Sequence, residues 1–264
     1  MGDSITAGHA GFPRGATYPF PLFTTLRRVN AAKRFIMIAQ NGWTTTQLYA
    51  ALMSTPPRLF DDVSVATLCI GGNDLRHLVR RQALSLTGRR PPSLAEIMRT
   101  VTETANRLDR IGNLISGHNI PRIIIGTLYN PTPNSELAAQ GISLLNDAIR
   151  STAKRYGFEI ADLSRVVRGD EPRCIDGYKS GELKDLMTIV RRPIHPNAEG
   201  HRRISRAFYQ TYDEALHRQS RRRRELSAKP TANKSNVGKR HASRSSRHRR
   251  PRSVLSRRSV HSLS

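Results

Sequence analysis

The chain has 264 residues, with 44 lysines and arginines against 20 acids and a net charge of +24; its length suits one domain or two. No run approaches 18 consecutive apolar residues, which excludes a membrane-spanning helix, and Cys69 and Cys174 are too few for a disulfide framework and lack metal-site spacing. The basic excess is uneven, because residues 221–264 hold 15 lysines and arginines against the single acid Glu225. Such a surplus implies attraction to polyanions and says nothing of fold.

In chain order, the first predicted strand covers residues 34–39, an apolar run closed by Asn41-Gly42. A second covers 63–70 and ends at Gly71-Gly72. Ser93 and Glu96 then form a capping box, in which each side chain satisfies the other residue's backbone N–H. Behind it Ile97, Val101, Ala105, Leu108 and Ile111 repeat at helical spacing until Gly117 and Pro121. A third strand covers 122–128, closed by Asn130-Pro131. Leu144, Leu145, Ala148, Ile149, Thr152 and Ala153 form a second helical stripe, followed by a short strand over 157–163. A last helix is expected from about 197 to 216, with Ile204, Ala207, Phe208, Thr211 and Ala215 inward.

Near-continuous apolar strands suit a parallel sheet buried on both faces. Their alternation with helices predicts an α/β fold, a three-layer α/β/α sandwich over residues 1–218. From Gln219 the chain becomes arginine, lysine, serine and histidine with few apolar residues. Burial there cannot offset ordering entropy, so 219–264 is expected to be a disordered basic tail. No internal repeat is visible.

Three blocks stand at predicted element boundaries: Gly2-Asp3-Ser4-Ile5-Thr6-Ala7-Gly8, Gly71-Gly72-Asn73-Asp74, and His195-Pro196-Asn197-Ala198-Glu199-Gly200-His201. Asn41-Gly42 is a fourth, weaker one. Ligands of open α/β sheets gather at the carboxyl ends of the strands, where these blocks would converge. The chemistry they could assemble is acyl transfer. Ser4 would be the nucleophile and His195 its base, with the N–H groups of Ser4 and Gly42 and the Asn73 amide as oxyanion donors. Each block also has a plain structural reading: Ser4 as an N-cap, Asn73-Asp74 as a turn, Pro196-Asn197 as a helix start. His201 reads as structural, Asp74 as a loop cap, and the other histidines, three of them in the tail, as solvated.

The set resembles the SGNH (GDSL-type) hydrolase family, whose esterases, lipases, thioesterases and deacetylases share a flavodoxin-like sheet. The family's nucleophile block is similar to residues 2–8, its oxyanion glycine to Gly42 and its G-x-N-D block to residues 71–74. Its histidine block resembles Ile194-His195-Pro196-Asn197, and Leu145-Asn146-Asp147-Ala148-Ile149-Arg150 resembles its penultimate helix. The likeness spans residues 2 to about 210. It implies a serine hydrolase of short-acyl carboxylic esters, working through Ser4 and His195, with no metal or organic cofactor. A reading of another class is a catalytically impaired SGNH scaffold whose tail, 219–264, holds a polyanion such as nucleic acid, anionic lipid or an acidic wall polymer. A third reading takes the tail as an out-of-frame extension without a partner.

Two positions depart from the family. An aspartate usually sits three residues before the catalytic histidine, and here that position is Arg192. A cation there opposes protonation of His195. Either the Arg192 carbonyl takes the imidazole N–H, as in dyad relatives, or Asp176, Glu182 or Asp185 supplies a carboxylate. The family also places its nucleophile after an apolar central strand, and here only Met1 precedes Gly2. The expectation is a missing first central strand, from a start assigned too late. No leader peptide precedes Gly2, but with such a start secretion stays open.

Overall fold

The computed structural model describes residues 1–9, 12–84, 90–187 and 192–228. In chain order the elements are α1 (Ser4–Ala7), α2 (Pro19–Arg28), α3 (Thr45–Met53), β1 (Val65–Leu68), α4 (Gly72–Ala83) and α5 (Leu94–Ser116). There follow β2 (Arg122–Gly126), α6 (Glu136–Tyr156), β3 (Glu159–Ala161), α7 (Leu163–Val166), α8 (Glu171–Cys174) and α9 (Ala198–Ala228).

The three strands pair in parallel in the order β1-β2-β3, with Val65 opposite Arg122 and Ile124 opposite Glu159. Helices cover both faces. On one side α3, α4 and α6 pack around α5; on the other α2, α7 and α8 pack on α9, which itself lies against β2 and β3. Ile124, Ile125, Leu145, Ile149, Leu108 and Phe208 are almost wholly buried between the layers. Each such side chain contributes about 1.5–3 kcal/mol by leaving water. The expected three-layer parallel sandwich is thus the observed one.

The central strand is short rather than absent. Gly2 bridges Cys69 on one side and Ala39 on the other, both in parallel. The Cys69 N–H donates to the Met1 carbonyl at 3.1 Å, and the Gly2 N–H donates to Ile38 at 3.1 Å. The sheet therefore reads 38–39, 1–2, β1, β2, β3, the flavodoxin-like order. Gly2 admits no side chain, since a Cβ there would lie 2.3 Å from the Cys69 carbonyl oxygen.

Residues 34–39 do not form the predicted strand; only Ala39 makes a bridge. The reason is pairing. A strand needs a partner along its length, and Met1 and Gly2 supply only two residues. Phe35 and Ile36 remain 37% and 39% exposed beside a groove of about 840 Å³ lined also by Leu22, Leu26 and Val65.

The last helix corrects a second expectation. It runs through Ala228, ten residues into the segment read as disordered. Arginine, glutamate, leucine and alanine are strong helix formers. The extension is anchored where Arg218 pairs with Glu159 at 2.5 Å and Gln219 accepts from Arg122 at 2.5 Å. Residues 229–264 lie outside the described residues. The other predicted elements appear with shifted ends, the second helical stripe being part of the longer α6.

Candidate active site

Ser4 opens α1, just beyond the short central strand, with Asp3 as its N-cap: the Asp3 carboxylate accepts the Ile5 N–H at 3.0 Å. Ser4 is 5% exposed. His195 arrives from the opposite end of the chain on a loop strapped to residues 173–176. Its carbonyl accepts the Asp176 N–H at 2.8 Å, and the Asn197 N–H donates to Cys174 at 2.8 Å. Asn197 also caps α9, its side-chain oxygen accepting the Glu199 and Gly200 N–H groups at 3.0 and 3.1 Å. The Tyr129 hydroxyl donates to the Ile194 carbonyl at 2.5 Å, fixing the loop from the β2 side. These restraints place His195 Nε2 3.0 Å from Ser4 Oγ.

The imidazole is kept neutral. Burial, with His9, Arg76 and His201 nearby, pushes its pKa from 6.5 down to about 3. No carboxylate contributes to that shift. Asp176 is exposed, Glu182 pairs with Lys184 at 2.7 Å, and Asp185 accepts the Ser180 and Gly181 N–H groups at 2.9 Å each. The Arg192 carbonyl accepts the Ile194 N–H at 2.9 Å.

Asn73 lies in the first turn of α4 and is 5% exposed. Its amide donates to the Trp43 carbonyl at 2.9 Å and its oxygen accepts from Arg76 Nε at 2.7 Å. An amide held so has one N–H left to donate. Asp74, next to it, accepts the Thr45 N–H at 3.0 Å and hydroxyl at 2.7 Å, and pairs with Arg107 at 3.2 Å. It is a cap of α3. Gly42 occupies the turn closed by the Trp43 N–H on Gln40 at 3.2 Å, with φ of 83°. Ser4, Asn73 and His195 line one cavity; Gly42 stands outside its lining, tied to Asn73 through Trp43.

That cavity measures about 110 Å³ and is walled by Leu75, Leu78, Ile97, Leu128, Leu137 and Ile142. A dry apolar cavity of roughly 150 Å³ holds one benzene, so this one suits a hydrocarbon chain of a few carbons.

Three contributors escaped sequence reading. His9 stacks on His195 with ring centroids 4.2 Å apart and is not the solvated histidine expected; its place just after Gly8 was the available signal. Arg76 and Tyr129 reach the site only through tertiary contacts, which sequence does not announce. His201 is structural as expected: it is 1% exposed and its Nδ1 accepts the Tyr18 N–H at 3.3 Å.

Among the described residues there is no group of three or more histidines, cysteines or acids able to hold a metal ion. No helix there is long and apolar enough to cross a membrane.

The fold is a parallel α/β/α sandwich in which a buried serine and a histidine meet at the carboxyl edge of the sheet. The chain belongs to the GDSL-like lipase/acylhydrolase family, whose sequence profile matches residues 1–203. No curated protein matches it by sequence. Among solved structures it is similar to a member of the lipolytic G-D-S-L family from Veillonella parvula, with 16% identity, a TM-score of 0.54, and 79% of this chain and 93% of that one covered. The lipase Lip_vut3 from a goat rumen metagenome superposes with a TM-score of 0.59 at 18% identity, covering 80% and 94%. The acetylxylan esterase Axe2 from Geobacillus stearothermophilus gives 0.56 at 17%, covering 80% and 90%.

Proposed function

We propose that this GDSL-family hydrolase cleaves carboxylic esters of short acyl groups through an acyl-enzyme on Ser4. The observation that carries the reading is the 3.0 Å contact between His195 Nε2 and Ser4 Oγ at the mouth of an apolar cavity. Ser4 Oγ attacks the acyl carbon while His195 Nε2 takes its proton. The resulting oxyanion accepts from the Asn73 amide and the N–H groups of Ser4 and Gly42. His195 then gives its proton to the leaving alcohol as the carbon–oxygen bond breaks. Water, deprotonated by the same nitrogen, releases the acid and restores Ser4. The similar acetylxylan esterase, one structure of which carries a serine-to-alanine catalytic substitution, supports the same use of a serine.

The test is hydrolysis of para-nitrophenyl butyrate. Ser4→Ala and His195→Ala should each lower kcat by at least about a thousandfold, as removal of a nucleophile or base does. Equal rates in wild type and Ser4→Ala would overturn the reading. The second reading, an impaired scaffold with a polyanion-binding tail, is favoured by Arg192 in place of the usual acid. It predicts a folded wild type that turns over no ester.

A further inference from the structure

Arg76 projects from the second turn of α4 into the cavity that holds Ser4 and His195. Its Nε is engaged by Asn73 at 2.7 Å, which leaves the two terminal nitrogens of a half-buried guanidinium. Among the described residues, no carboxylate forms an ion pair with it. Asp3, an acid that favours the charge of Arg76, is buried and turned to the Ile5 N–H, and burial raises its pKa to about 7. Burial disfavours the charge of Arg76, and two cations, Arg192 on the histidine loop and Arg80 one turn along the helix, disfavour it further, against the opposing pull of Asp3. A half-buried cation costs free energy unless an anion meets it. A like-charged cluster at a catalytic cleft is the arrangement expected where a ligand brings the opposite charge.

We propose that Arg76 binds an anionic group, a carboxylate or a phosphate, carried by the alcohol portion of the ester substrate. This rests on the proposed esterase reading. The acyl chain takes the apolar interior, where a charge would be desolvated, so the anion lies at the mouth, toward exposed Arg80. Two parallel N–H groups of a guanidinium suit either oxyacid. Arg76 is then a specificity residue that selects the leaving group by charge.

Two measurements separate this inference from the reading beneath it. The first compares kcat/KM for para-nitrophenyl butyrate and for a butyryloxy-nitrobenzoate, whose leaving group carries a carboxylate. Taking the charged-to-neutral ratio cancels any effect of Arg76 on Asn73. That ratio should fall roughly tenfold or more in Arg76→Gln, and less in Arg76→Lys. An equal loss on both substrates would make Arg76 a positioning residue for Asn73 and overturn the proposal. The second measurement needs no turnover: calorimetric titration of wild type and Arg76→Gln with benzoate and with glycerol 3-phosphate. Binding of either one, lost in the variant, supports the proposal and names the oxyacid. Binding of neither, or binding unchanged in Arg76→Gln, overturns it. Failure of both butyrates in a wild type that still binds an anion through Arg76 would sink the esterase reading alone.

Discussion

His195 must be neutral to accept a proton from Ser4, and its depressed pKa keeps it so far into acid. Its folded value near 3 lies below the unfolded 6.5. The acidic limb of kcat/KM should therefore fall well below pH 5, with activity at pH 5 close to that at pH 7. A midpoint near 6.5 would show an imidazole in contact with solvent. Asp3 titrates with the opposite consequence. Burial raises it from 3.8 to about 7, so its contribution to stability is present below pH 4 and lost as pH rises through 7. Asp3→Asn keeps an acceptor for the Ile5 N–H and removes the ionisation. Its melting temperature relative to wild type should be a few degrees more favourable at pH 8.5 than at pH 5. The same difference at both pH values would remove Asp3 from the titration. Asn73→Ala should cost about a hundredfold in kcat with little change in KM, the loss of one oxyanion donor. Turnover near wild type would leave Asn73 only its bond to the Trp43 carbonyl.

Among the elements, α6 holds the start of the loop after β2 through one residue. Asn146 of α6 is 3% exposed; its oxygen accepts the Leu128 N–H at 2.7 Å and its amide donates to the Leu128 carbonyl at 2.9 Å. Asn146→Ala leaves both buried backbone groups unpaired and should cost about 2–4 kcal/mol, read as a lower urea midpoint. An unchanged midpoint would mean that the loop finds other partners. The apolar runs of β1 and β2 and the Ser93–Glu96 box ahead of α5 were legible because local pattern and tertiary role agree there. Helices α2 and α4 were not. The first opens Pro-Phe-Pro, and the second is dominated by Arg76, His77, Arg80, Arg81 and Gln82, with apolar contact mainly through Leu75, Leu78 and Val79. Packing on α9 and α5 makes them helices. Residues 34–39 failed in the other direction, strand-like in composition yet short of a neighbour to pair with. At the candidate site, the convergence of Ser4, Asn73 and His195 on one cavity was legible because each lies at the boundary of a regular element. His9 and Arg76 were hidden because their roles arise from what they touch.

For the whole molecule, the charge is divided between a folded body and a basic terminus. Exposed Arg221, Arg222, Arg223 and Arg224 ride on the end of α9, which the Arg218 and Gln219 contacts attach to the body. We propose that residues 219–264 bind polyanions through charge alone. Counterion release then makes affinity for duplex DNA or anionic vesicles fall steeply with salt. Truncation after Ala228 keeps the anchored helix and should remove most of this affinity while sparing hydrolysis of a neutral butyrate. Affinity indifferent to salt, or surviving truncation, would contradict the charge reading.

The central claim is that Ser4 is the nucleophile, and covalent capture tests it most directly. A fluorophosphonate probe on the full chain, mapped by peptide mass spectrometry, should mark Ser4 alone. The adduct should be absent in Ser4→Ala and slow to form in His195→Ala. An adduct on another serine, or labelling of a folded Ser4→Ala protein at the wild-type rate, would contradict it.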